Sequence, residues 1–205
     1  MPVTSFLRFL NQLHPMKAHL LSYLSDKVTT VSFNKGRFLI SPLDKEDYMY
    51  FLFSGAVRGF TKIGQKKITT WIVVENSLIG RMRIKDENDE AEEYVEAIEY
   101  CKVVRISREL LDRLYLNHFE INYIGRVLGQ KLYAATEERA FICRLPTAEE
   151  KYKRFLAVYP GLIDRISLKY IAFFLGLSVE TLSRTRTKIA ASSNYLNVNR
   201  VDEKR

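Results

Sequence analysis

Glu180, Ser183, Arg184, Thr187 and Lys188 fall three or four positions apart in the stretch SVETLSRTRTKIA, so a helix would array them along one side. An arginine can donate two bonds to guanine, and a glutamate can accept from the amino group of cytosine. Hydroxyls and lysines suit phosphate oxygens. The set has the chemistry of a duplex groove. A helical hairpin buried in a core would share the apolar spacing but has no use for so many polar groups on its outer side. Nothing else in the chain competes as a reaction centre. His14, His19 and His118 are scattered and nominate no haem ligand, and Cys101 and Cys143 are too few for a disulfide framework or a four-cysteine metal site. No nucleophile elbow, phosphate loop or H-E-x-x-H occurs, so neither catalysis nor a cofactor or metal is expected.

The elements that must position these groups can be read around them. Ser167–Ala190 reads as two short helices joined by a tight turn. Ser167 and Ser178 each stand where an N-cap oxygen would satisfy an orphan amide. Ile171, Ala172, Leu175, Leu182 and Ile189 supply the apolar sides, and Ala172 is small where two helices must cross. Gly176 lies at the turn, where a left-handed backbone angle suits a residue without a Cβ. This is the pattern of a helix-turn-helix.

Composition narrows the partner. The 205 residues are 47% hydrophobic and 27% charged, with a net charge of +8. Residues 141–205 hold 12 Lys/Arg against 6 Asp/Glu, whereas residues 1–140 hold 20 against 18. A basic final third on a nearly neutral body points to a polyanion for that third. Charge alone would fit RNA or a membrane surface equally; the helix-turn-helix selects double-stranded DNA. No apolar run approaches the roughly 18 residues that span a bilayer. MPVTSFLRFLNQLHP lacks the regions of a signal peptide, and a reducing, cytoplasmic setting is expected.

Residues 4–27 are expected to be helical, with a break at His14-Pro15. From Val28 the text changes to short strands punctuated by turns: Val31–Phe33, Phe38–Ile40, Tyr48–Phe53, Ala56–Thr61, Lys67–Val74, Tyr94–Ile98 and Val103–Ile106. Such spacing predicts a small antiparallel roll. Helical text resumes at Ser107. Leu111, Leu114, His118, Ile121, Gly125, Leu128, Leu132, Ala135 and Ile142 form a seam of about thirty residues, which pairs with a second copy or lies on its own roll. Gly125 and Ala135 would allow close approach, which favours a homodimer with Leu114, Ile121, Leu128 and Leu132 on the seam. Leu145-Pro146 marks a hinge, and Thr147 with Glu150 forms a capping box. The tail carries at most one strand, Tyr195–Val198, and no hairpin glycine. The expected fold class is α+β: a roll with N-terminal helices over 1–107, a long dimerisation helix over 108–145, and a helix-turn-helix domain with a reduced wing over 146–205.

With that order in hand, the sequence resembles the Crp/Fnr family of bacterial transcription regulators. F-N-K-G-R-F-L (33–39) and Y-F-L-F-S-G-A-V-R-G-F (50–60) look like the family's roll strands. T-A-E-E-K-Y (147–152) and I-A-F-F-L-G-L-S-V-E-T-L-S-R-T-R (171–186) are similar to its C-terminal domain in the Bacteroidetes branch. The resemblance implies a sequence-specific regulator, a homodimer on a near-palindromic site, with RNA polymerase as a further candidate partner and no membrane association. By similarity Glu180, Ser183 and Arg184 read bases in a TTGA-type half-site, with Val179 offering a methyl contact to thymine. Lys169, Thr181, Arg186, Thr187 and Lys188 would hold phosphates. The alternative, from another class, is a ligand-sensing or scaffolding protein that has lost specific DNA binding.

Cyclic-nucleotide-binding members of that family carry Gly-Glu-Leu followed by Arg-Ser around the phosphate. The matching text here is Gly80-Arg81-Met82, with Ala91-Glu92 at the Arg-Ser positions and Ala135 and Thr136 at the long-helix positions. Only the glycine is kept. Residues 86–99 hold eight acidic side chains and no basic one. Carboxylates crowded against a phosphodiester repel it by about 1 kcal/mol per close pair even in bulk water. The reading is a degenerate pocket that does not take cyclic AMP, with the effector unknown. The acidic run also lacks the spacing of a calcium loop.

Overall fold

The structure, a computed structural model, describes residues 1–44, 47–81 and 93–202, the last eleven by backbone alone. The chain divides into two compact units, Met1–Ala135 and Thr136–Arg205. The first begins with α1 (Pro2–Leu13) and α2 (Ala18–Lys27), separated at His14-Pro15 as the sequence predicts. Eight strands follow: β1 (Thr29–Phe33), β2 (Phe38–Ile40), β3 (Tyr48–Ser54), β4 (Val57–Ile63), β5 (Lys66–Val73), β6 (Ser77–Ile79), β7 (Glu93–Ala97) and β8 (Cys101–Ser107). They form two four-stranded antiparallel sheets ordered β1-β8-β3-β6 and β2-β7-β4-β5. Strand β6 is not expected from sequence. It is three residues long and enters through Asn76, whose φ of 63° is unusual for a side chain with a Cβ.

The alternation of side chains sorts the strands into two cores. Leu52, Val57, Val95, Ala97 and Val103 face the roll interior, while Met49, Phe51, Val104 and Ile106 on the other face of β3 and β8 meet Phe6, Leu10, Leu20 and Leu24 of α1 and α2. Gly55 turns β3 into β4 at φ 105°, and a Cβ there would lie 2.5 Å from the Tyr100 carbonyl oxygen, so only glycine fits.

The helical text after Ser107 comes as two helices, α3 (Arg108–Asn117) and α4 (Phe119–Arg144). Ser107 Oγ caps the first by accepting the Leu110 amide at 3.3 Å. The break is at His118, which takes an extended conformation, φ −134° and ψ 110°. The Asn122 side chain donates to the Tyr115 carbonyl, at the end of α3, and to the His118 carbonyl, which also accepts the Ile121 and Asn122 amides at the start of α4.

The second unit contains α5 (Ala148–Val158), α6 (Leu162–Arg165), α7 (Leu168–Leu175) and α8 (Val179–Asp202). The capping box opens α5 as expected, with the Glu150 amide donating to Thr147 Oγ1 at 3.2 Å and the Thr147 amide to Glu150 Oε2 at 3.1 Å. Phe155, Ile142, Ile171, Leu175 and Leu182 are fully buried in its core. The tail, expected to hold at most one strand at 195–198, is helical there: α8 continues through that segment, so the expected reduced wing is replaced by helix.

Candidate nucleic-acid interface and the roll interior

The turn between α7 and α8 is built as its sequence predicts. Ser167 Oγ accepts the Lys169 amide at 3.3 Å, and Ser178 Oγ accepts the Thr181 amide at 3.0 Å. Gly176 closes α7 at φ 65° and ψ 36°, donating to Phe173, while the Leu177 amide reaches the Ala172 carbonyl at 2.9 Å. These are the paired bonds of a Schellman stop. Leu182 is fully buried and Thr185 nearly so, which fixes the roll of α8 about its axis.

With that face inward, Glu180, Thr181, Ser183, Arg184, Arg186, Thr187 and Lys188 are exposed, and Val179 is half-buried. Glu180, Ser183 and Arg184 therefore lie together on the surface. The Glu180 carboxyl is held below the usual carboxylate range, first by its own backbone amide, then by the Ser178 hydroxyl, with Arg184 adding charge. It is an anion at neutral pH and can only accept. Among the phosphate candidates, Lys169 is exposed with its ammonium 5.9 Å from the Phe173 ring. The Thr181 hydroxyl is 3.0 Å from Ser178 Oγ, and the Thr187 hydroxyl donates to the Ser183 carbonyl at 3.3 Å. Lys188, though exposed, is already engaged. Its ammonium donates to Glu149 on α5 at 3.0 Å, a bond between residues 39 positions apart that helix periodicity does not reveal.

The roll interior is partly occupied by the protein itself. Trp71 on β5 pairs with Gly59 on β4, and its indole lies across that glycine. A Cβ at position 59 would come within 2.1 Å of the ring. The indole Nε1 donates to Glu93 Oε1 at 2.7 Å, which fixes the ring's orientation. The pairing of Trp71 with Gly59 rests on strand register, which the local sequence does not specify. Gly80 packs on Met49, and the Arg81 guanidinium donates to the Ser41 carbonyl. Met82, Ala91, Glu92 and the acidic side chains at 86–92 lie outside the described residues. Ala135 and Thr136 are exposed, and the Thr136 hydroxyl accepts from Arg139 at 2.9 Å.

The seam divides into two parts. Leu114 and Ile121 are buried against the roll's outer core, with Leu128 packed partly against them. Gly125 lies under Tyr115, where a Cβ would be 2.7 Å from the ring, so its close approach is made to a residue of its own chain. Leu128 and Leu132 border a cleft of about 330 Å³ shared with Met49 and Leu78. The front of the seam thus covers its own roll. Ala135, Tyr133 and Phe141 further along α4 are exposed.

Comparison with known proteins is consistent with this architecture. Residues 30–118 match the family model of the cyclic nucleotide-binding domain. No curated protein matches the chain at a significant level. Among solved structures, FixK2 from Bradyrhizobium japonicum superposes with a TM-score of 0.68 at 18% identity, over 81% of this chain and 86% of that one. A protein from Eubacterium rectale described as a transcriptional regulator of the Crp/Fnr family gives 0.67 at 14% identity, over 90% and 88%. CLP of Xanthomonas campestris, described as a c-di-GMP-responsive global regulator, gives 0.64 at 18% identity, over 86% and 93%. At these identities the likeness is one of fold. No helix among the described residues is long and apolar enough to cross a membrane. Residues 30–118 are a domain of the cyclic nucleotide-binding type, and the chain has the fold found in Crp/Fnr-family transcription regulators.

Proposed function

We propose that this protein is a sequence-specific DNA-binding transcription regulator, acting as a homodimer on a near-palindromic site. The observation that carries the reading is the exposure of Glu180, Ser183 and Arg184 together on α8, opposite the buried Leu182. A helix so oriented can enter a major groove, and a twofold copy would place a second one about 34 Å away. Arg184 then reads guanine, Glu180 the cytosine amino group, and Val179 a thymine methyl, with a TTGA-type half-site as the target. Lys169, Thr181, Arg186 and Thr187 hold phosphates and position the helix.

Cyclic AMP is not the proposed effector. Trp71 lies across Gly59 in the roll interior, and Arg81 is engaged with the Ser41 carbonyl. RNA polymerase is a further proposed partner.

The test is fluorescence anisotropy with duplexes carrying each single-base change in a TTGA palindrome. Arg184→Ala should lose about 1–3 kcal/mol at one base pair and relax preference there alone. A loss spread evenly over all sequences would remove Arg184 from the reading set. The scaffold alternative draws on the helical backbone at 195–198, where a wing would add phosphate contacts. Absence of any salt-sensitive duplex binding would favour it.

A further inference from the structure

The Glu149 carboxylate is shared by two lysines. Its Oε2 accepts from Lys188 Nζ at 3.0 Å, and its Oε1 accepts from Lys153 Nζ at 2.8 Å. The three groups come from two helices, Glu149 and Lys153 from successive turns of α5, Lys188 from the recognition face of α8. Both lysines hold the Glu149 carboxyl below the usual carboxylate range, Lys153 more strongly than Lys188. Beside them Thr147, Thr185 and Lys188 border an open cleft of about 460 Å³. The carboxylate thus stands next to the surface proposed above to meet a duplex.

We propose that Glu149 is an affinity-setting residue that competes with the DNA backbone for Lys188. The inference rests on the DNA-binding reading. A phosphodiester carries one negative charge and accepts the same charge-assisted hydrogen bond from an ammonium as a carboxylate does. The two anions exchange at Lys188. The bond that forms to phosphate is offset by the bond that breaks to Glu149, and the released carboxylate stays close enough to repel the incoming strand. Until the pair opens, the carboxylate cancels one of the two lysine charges, so the three groups present a single net positive charge to the duplex. Lys188 therefore contributes less to the salt dependence of binding than the about 0.9 that a phosphate neutralised by an unengaged cation contributes.

The experiment is a salt titration of duplex binding by the full-length chain, with a fluorescein-labelled random-sequence duplex and a TTGA-palindrome duplex. The wild type is compared with Glu149→Gln, Lys188→Ala and the double variant. Glu149→Gln should tighten binding to both duplexes by about two- to five-fold at low salt, the range an exposed ion pair can supply. It should also steepen the plot of log K against log salt. Lys188→Ala should cost little alone, and in the Glu149→Gln background it should abolish the gain. Unchanged or weaker binding by Glu149→Gln overturns the inference while leaving the regulator reading intact. A gain that persists in the double variant also overturns it, since Glu149 would then act by general repulsion. Failure of every variant to bind either duplex at the lowest salt overturns the regulator reading and this inference together. Thermal melts of all four proteins identify any loss of fold, and Glu149→Asp, which restores the charge, should return wild-type affinity.

Discussion

Two thiols in one chain should behave as different reagents. Cys101 is fully buried on β8, and its Sγ donates to the Ala56 carbonyl at 3.3 Å and the Glu99 carbonyl at 3.5 Å. Burial pushes its pKa from 9.0 up to about 11. Cys143 is exposed. At neutral pH a maleimide should label Cys143 quickly and Cys101 only after unfolding, as read by intact mass; equal labelling rates would contradict the buried thiol. The same shift has a consequence for stability. Above pH 9 the thiol of the unfolded chain ionises while the folded one stays protonated, so the unfolded state is favoured increasingly until about pH 11. Tyr50 adds to this, its pKa raised from 10.0 to about 12 by burial first and by Asp44 second. The urea midpoint should therefore hold below pH 9 and fall as pH climbs through 9 to 12. A profile flat across that range would show that neither group is buried as described. At this scale the exposure of Glu180, Ser183 and Arg184 was legible, because a period of 3.6 and one buried leucine determine which side of a helix faces out. The partner of Lys188 was not, since the capping box announces Glu149 in the first turn of α5 but not which distant helix lies beside it.

Among the elements, the sheet β2-β7-β4-β5 carries the boldest electrostatic commitment. Arg58 on β4 and Glu96 on β7 are register partners, both buried, with Arg58 Nε 2.8 Å from Glu96 Oε2 and Nη1 3.0 Å from Thr69 Oγ1. Removing one partner strands the other charge away from water. Glu96→Ala should cost about 3–5 kcal/mol in a denaturant titration, whereas replacing both residues with apolar ones of similar volume should cost much less. A single-variant loss below about 1 kcal/mol would place the pair in solvent. The strands themselves were readable from turn glycines and β-branched runs. Their pairing was not: β6 is too short to show a period, and Trp71 meets Gly59 only through the antiparallel register of β4 and β5. The helix after Ser107 was legible in type but not in continuity: the apolar seam runs on through His118, whose extended backbone separates α3 from α4. At the C-terminus the lack of a hairpin glycine was legible, but the reduced wing expected there is helix. The polar text there did not suggest that α8 would run on as helix.

For the whole molecule, the question the seam poses is how much of it remains for a second copy. Leu114, Ile121, Gly125 and Leu128 are used by the first unit's own core, leaving Ala135 exposed beyond them on α4. If two chains pair along α4, Ala135→Glu should leave the melting temperature of the roll nearly unchanged and shift sedimentation velocity to the monomer. A dimer that survives the change would place the interface elsewhere. Trp71 is the chain's one tryptophan, and it rests where a smaller side chain would leave a vacancy above Gly59. With that indole held by Glu93, the space beside Gly59 is closed to anything that does not first displace the ring.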